Sequence, residues 1–208
     1  MLLIAWCAMF IAVLSGRTAG RRNGVSLHVP FGFLLSGCSL LVAWLSMKNP
    51  QITPLVPVLS SPLLSIHVST IMLAYTLLGF MTLNSLTAIF RAIFAGKRKR
   101  PSLLPYLERQ RIYGLVCLYP ALLFLGAGIF LGAVWANVSW GRYWGWDPKE
   151  VWALITFLVY SLIIHRQPWN IPANPLRFHV FSVLSFLTVL MTYFGVNYFL
   201  GGMHSYGG

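Results

Sequence analysis

Acidic residues are almost missing from this chain. Three Asp and Glu stand against fifteen Lys and Arg in 208 residues, and 9% of the chain is charged. An ordinary globular domain carries about 25%. Two of the three carboxylates, Asp147 and Glu150, fall within one turn, where they read as a helix cap, so no carboxylate pair is left for acid–base work. No Ser-His-Asp order and no phosphate-cradling loop occurs, which excludes the common hydrolytic and nucleotide-binding designs. Cysteine is scarce: Cys7, Cys38 and Cys117 sit in separate apolar runs without a CxxC pair. That argues against thiol-redox and zinc-finger roles and leaves buried apolar thiols as the default. Repeats, low-complexity tracts and any polar stretch long enough for a soluble domain are lacking as well.

Apolar sequence is abundant instead. Hydrophobic residues make up 58% and the mean hydropathy is +0.74. Six runs, at about 1–16, 25–47, 67–92, 112–136, 149–165 and 178–200, approach or exceed the length of about 20 helical residues that crosses a bilayer. Helices are required there, because a lone strand leaves backbone groups unpaired in lipid. The expected fold class is an all-α integral membrane protein: a polytopic bundle of about six transmembrane helices in one domain, 1–208. The first run has no basic residue ahead of it, the reverse of a signal peptide, so it is kept as a helix, with further sequence expected upstream.

The net charge of +12 is unevenly placed. Arg17, Arg21 and Arg22 lie between runs one and two. Arg91, Lys97, Arg98, Lys99, Arg100, Arg109 and Arg111 lie around the junction of three and four, and Arg166 and Arg177 around that of five and six. Only Lys48, Arg142 and Lys149 fall on the other face. Basic loops stay cytoplasmic, so both termini and the segment between runs four and five are expected outside. The basic run 97–100 reads as a topology determinant touching anionic membrane lipid, not as a nucleic-acid site.

Residues 135–152, WANVSWGRYWGWDPKEVW, hold five of the eight tryptophans. Trp135, Trp140, Trp144, Trp146 and Trp152 make this stretch too aromatic for a solvated loop and too polar for a span. The expectation is an external loop forming a flat aromatic shelf for a large planar ligand; the bland alternative is an interfacial aromatic belt. Asp147, Pro148 and Glu150 have the order of an N-cap, a first-turn proline and a capping-box partner for run five. Asp147 is also a candidate to orient the shelf or to accept a hydrogen bond from a ligand.

His67 starts run three and His204 follows run six, both on the outer face. Two such histidines beside an aromatic shelf match the two axial ligands of a haem iron, although a single interfacial histidine is more often a simple anchor. His165 ends run five next to Arg166, on the inner side, roughly 25 Å from Asp147 by helical rise. It cannot share an iron with the outer pair. His28 and His179, at the inner starts of runs two and six, read as interfacial residues. Asn84 and Asn197 are the strongest midspan polar residues, too few for a solute transporter with interrupted helices.

WGRYWGWDPKEVWALITFLVYSLIIH resembles the WWD signature of the haem-handling proteins of cytochrome c maturation, in the form of the CcsA (ResC) branch, which is similar to but distinct from CcmC. LVPVLSSPLLSIHVSTIMLAY resembles the family's outer loop leading into a His-bearing helix, and TYFGVNYFLGGMHSYG resembles its C-terminus. The likeness runs from about residue 25 onward. It implies a haem-handling subunit of a system II cytochrome c synthase (a holocytochrome c synthase, or haem lyase) in the inner, cytoplasmic membrane. It maps the family's external histidines onto His67 and His204, with Trp140, Trp144, Trp146 and Asp147 in the WWD loop. It maps the membrane histidine onto His165, which in the family pairs with a histidine of a ResB/CcsB-like partner. Haem b, iron protoporphyrin IX, is then the transported ligand, passed outward and joined to the CxxCH cysteines of apocytochrome c. Members of the branch usually carry further N-terminal helices. The competing readings are a b-type haem anchor of a respiratory complex, which usually places paired histidines near mid-bilayer, and a haem exporter without attachment activity.

Overall fold

The computed structural model describes residues 28–46, 61–95, 103–165 and 174–200. Run one, with Cys7, and His204 lie outside them. The described residues form five α-helices: α1 (His28–Ser46), α2 (Pro62–Ile93), α3 (Leu103–Trp140), α4 (Pro148–Ile164) and α5 (Pro175–Leu190). The last continues as a π-helix, Met191–Leu200. Among the described residues, three helical stretches, Pro62–Ile93, Leu103–Trp140 and Pro175–Leu200, are long and apolar enough to cross a membrane. At 17 residues, α4 rises about 25 Å, the short limit for a span.

Local chemistry sets the starts. Helices α2, α4 and α5 open on Ser61-Pro62, Asp147-Pro148 and Asn174-Pro175. Each pairs an extended N-cap with a proline whose fixed φ suits the first helical position and whose missing N–H would have had no partner there. The Asn174 side chain accepts from the N–H groups of Leu176 and Arg177 at 3.1 and 3.3 Å. At the other end of α3, the Gly141 N–H bonds the Asn137 carbonyl at 2.9 Å and the glycine takes φ +73°, a glycine-favouring helix stop.

Helix α3 begins nine residues ahead of the apolar run expected at 112–136. Leu103–Arg111 is charged but made largely of good helix formers, and Arg111 folds back on Glu108 through bonds of 2.9 and 3.0 Å. Apolarity therefore marks only the middle of a longer helix. The same helix runs through Trp140, so within 135–152 only residues 141–147 lie outside helix.

The core lies among α2, α3, α4 and α5, around Ala74, Leu78, Met81, Leu118, Leu125, Tyr160 and Phe178. Helix α1 docks on α2 by Phe31 against Phe80. Lipid gives apolar faces little reason to associate, so close backbone approach and polar ties hold such a bundle. Both are present between α2 and α3. Gly128 and Gly132 admit Ile71 and His67 of α2 at one end. At the other end Asn84 Nδ2 donates to the Gln110 carbonyl at 2.8 Å, and Arg91 stacks on the Tyr106 ring at 4.0 Å. The two helices therefore run antiparallel.

His179 of α5 is fully buried, not interfacial as its position near a span end suggested. Its Nε2 bonds the Leu107 carbonyl at 3.1 Å and its Nδ1 pairs with Ser85 Oγ at 3.0 Å, so one imidazole ties α5 to both α2 and α3. The carbonyl takes only a donated proton, so Nε2 carries the hydrogen and the serine hydroxyl donates to Nδ1.

The bundle thus has two chemically distinct ends. Arg91, Arg109, Arg111 and Arg177 cluster at the end where α2 finishes and α3 and α5 begin. Residues 141–147, the start of α4 and the π-helix share the opposite end with His67.

Candidate functional site

A cavity of about 410 Å³ opens at the His67 end, within the roughly 300–1,000 Å³ of small-molecule sites. Leu64, Val68, Ile71 and Met72 of α2, with Ile129, Gly132 and Ala133 of α3, make one wall apolar. Lys149, Glu150 and Ala153 of α4 and Thr192, Tyr193 and Asn197 of the π-helix form the other, with Tyr143 and Trp144 from the connecting segment.

His67 is half-buried on the apolar wall, and its Nδ1 lies 2.8 Å from the Gly128 carbonyl oxygen. A carbonyl only accepts, so Nδ1 carries the proton and the neutral ring's lone pair resides on Nε2. Orienting an imidazole by a backbone carbonyl is the usual support of a metal-binding histidine. Gly132 makes the placement possible: a Cβ there would stand 2.7 Å from His67 Cε1 and 3.0 Å from Nδ1.

The capping box of α4 forms as its sequence predicts. Asp147 Oδ2 accepts from the Lys149 N–H at 3.1 Å, and Glu150 Oε2 accepts from the N–H groups of Gly145 and Asp147 at 2.8 and 3.1 Å. Both carboxylates are thereby turned to backbone donors, and Asp147 is buried. Lys149 reaches across instead, its Nζ donating to Asn197 Oδ1 at 2.7 Å.

The tryptophans do not form a plane. Trp135 is buried and meets Trp140 edge to face, ring centres 4.9 Å apart at 72°. Trp144 and Trp146 stand at 89° with centres 6.0 Å apart. Perpendicular contacts satisfy the opposed charge of ring edge and face better than a flat sandwich does. Trp144 lines the cavity, while Trp146 is 75% exposed and holds φ 57°, a left-handed conformation uncommon for a bulky residue.

Over residues 1–204 the chain matches the family model described as Cytochrome C assembly protein. The chain belongs to this family. Among curated proteins, this cytochrome c assembly chain is 40% identical over 206 residues to Protein NrfI of Wolinella succinogenes, a match covering 99% of the chain and 22% of NrfI. It is 35% identical over 221 residues to the cytochrome c biogenesis protein CcsA of Chlamydomonas reinhardtii, covering 100% of the chain and 58% of that protein. With CcsA of Guillardia theta the identity is 35% over 202 residues, with coverages of 85% and 66%. The chain therefore spans about a fifth of NrfI and somewhat over half of the Chlamydomonas CcsA.

Of the assembly-protein residues singled out from sequence, His67 and Trp144 meet in the cavity and Asp147 caps the helix beside it. Trp140 and Trp146 stand outside its lining. His165 is the exposed C-cap of α4, about 27 Å of helix from Asp147, and His204 lies outside the described residues. Sequence reasoning missed Gly132, Lys149 and the π-helical wall. The Gly128–Gly132 spacing was a readable sign of close helix approach. Nothing local announces that Lys149 meets Asn197.

Proposed function

We propose that this chain is the haem-handling subunit of a system II cytochrome c synthase. In this reading it is a bundle of about six spans that presents haem b at the outer face for thioether attachment to the CxxCH cysteines of apocytochrome c. The observation that carries the reading is His67: a carbonyl-oriented imidazole on the wall of an apolar cavity beside Trp144, in a chain of the cytochrome c assembly family. The cavity's size, its largely apolar lining and its nitrogen donor suit a planar apolar metal complex, so the residues fit the group.

His204 would supply the second nitrogen ligand in this reading. It lies four residues beyond Leu200, at most about 14 Å of extended chain. His165, at the basic end, faces a ResB/CcsB-like partner that contributes the other ligand of an inner haem site. The basic cluster sits opposite the cavity, so the positive-inside rule turns the cavity outward from the inner membrane. Bound haem supplies the vinyl groups that accept the substrate's thiols. The chain's residues hold the ring and orient His67, Asp147 keeps the start of α4 in place, and Trp144 shields the apolar face. The contribution is positioning, worth much of the barrier when two reactants must meet.

The complex purified with its ResB/CcsB-like partner is expected to carry haem with a reduced bis-histidine spectrum. His67→Ala or His204→Ala depletes the outer haem, and added imidazole restores it. Undiminished haem and cytochrome c assembly in both variants would sink the assignment. A reporter fused after Gly208 that proved active in the cytoplasm would overturn the orientation.

A further inference from the structure

Resting on that reading of the cavity, we infer that Lys149 binds a carboxylate of the ligand, so the site selects a planar apolar molecule bearing free acid groups. Polarity is divided across the cavity. The α2–α3 wall that carries His67 is mostly apolar, with Tyr75 its other polar-tipped side chain, while the α4 and π-helix wall is polar and holds a cation. A ligand matching both walls is amphiphilic, with its acid end toward Lys149.

The polar wall is built around that cation. Pro148 and the capping box fix the first turn of α4, which aims Lys149 and, one turn on, Ala153 at the cavity. Both nearby carboxylates bond backbone N–H groups at the helix start. Asn197 Nδ2 donates to the Tyr193 carbonyl at 2.7 Å, which turns Oδ1 toward the Lys149 ammonium at 2.7 Å. The i→i+5 pattern of the π-helix aligns residues five apart and so brings Asn197 onto the same wall as Thr192. Asn197 is the positioning residue; Lys149 meets the ligand. An ammonium donates up to three hydrogen bonds, and its bonds to a carboxylate are of the charge-assisted kind.

The test changes the ligand as well as the protein. The full chain in detergent micelles is titrated with iron protoporphyrin and with its dimethyl ester, which keeps the ring and iron but removes both acid charges. Wild type is expected to bind the free acid roughly tenfold or more tightly than the ester. Lys149→Met should erase that preference, Lys149→Arg should keep it, and Asn197→Leu should reduce it. Equal affinity of wild type for acid and ester, or a preference that survives Lys149→Met, overturns the inference. His67→Ala separates the two claims. If it removes the histidine-ligated spectrum while acid and ester bind wild type alike, the functional reading stands and the carboxylate site falls. If it leaves the spectrum unchanged while Lys149→Met erases the preference, the reverse holds.

Discussion

Replacing Gly132 by alanine adds one methyl group and is expected to disable the site without unfolding the bundle. The new Cβ would lie 2.7 Å from His67 Cε1, whereas carbon atoms settle at about 3.5–4.0 Å. The ring must retreat by roughly 1 Å, which carries Nδ1 from its 2.8 Å bond with the Gly128 carbonyl toward the limit of hydrogen bonding. Alanine gains about 1 kcal/mol in helix propensity, against about 1 kcal/mol for the lost bond and about 1–3 kcal/mol for overpacking. Net destabilisation of about 1–3 kcal/mol leaves the helices assembled. The imidazole, however, loses its orientation. Carbethoxylation of His67, followed by mass spectrometry, should run faster in Gly132→Ala than in wild type. Affinity for iron protoporphyrin should fall by about tenfold, equivalent to about 1.4 kcal/mol. Gly37→Ala is the control, since a Cβ there meets nothing within 4 Å. Wild-type modification rate and affinity in Gly132→Ala would refute the claim that this glycine seats the histidine.

Three further outcomes follow from the geometry. His179→Ala leaves the Leu107 carbonyl and Ser85 hydroxyl buried without their partner and should destabilise the bundle by about 2–4 kcal/mol, read by denaturant titration in micelles. The cavity, about 27 Å away along α2, should keep its ligand affinity. Asp147→Ala removes the N-cap of α4 and should cost about 1 kcal/mol, with faster proteolytic nicking in 141–147 as the sensitive readout. Trp146→Gly relieves a left-handed backbone and should raise thermal stability by the equivalent of about 1 kcal/mol; an unchanged or lower melting temperature would show that the strain is not stored there.

Much of this arrangement was legible because its causes are local. The Ser61-Pro62, Asp147-Pro148 and Asn174-Pro175 pairs announce three helix starts, and the Asp147–Glu150 spacing announces the box. What escaped depends on partners distant in sequence. His179 looks like an interfacial residue until Ser85 and Leu107, 94 and 72 residues away, are seen to bond both its nitrogens. The Trp-rich stretch suggested a flat surface because composition counts rings and says nothing of their angles. The π-helix at Met191–Leu200 is as apolar as the α-helix before it, so no change in hydrophobic pattern marks the transition.

The cavity draws its walls from Leu64 at one extreme and Asn197 at the other. During synthesis the imidazole of His67 enters the membrane long before the polar wall exists. At about 5–20 residues per second the interval is on the order of ten seconds. Both walls therefore stand together only after the segment through Asn197 has been made and docked.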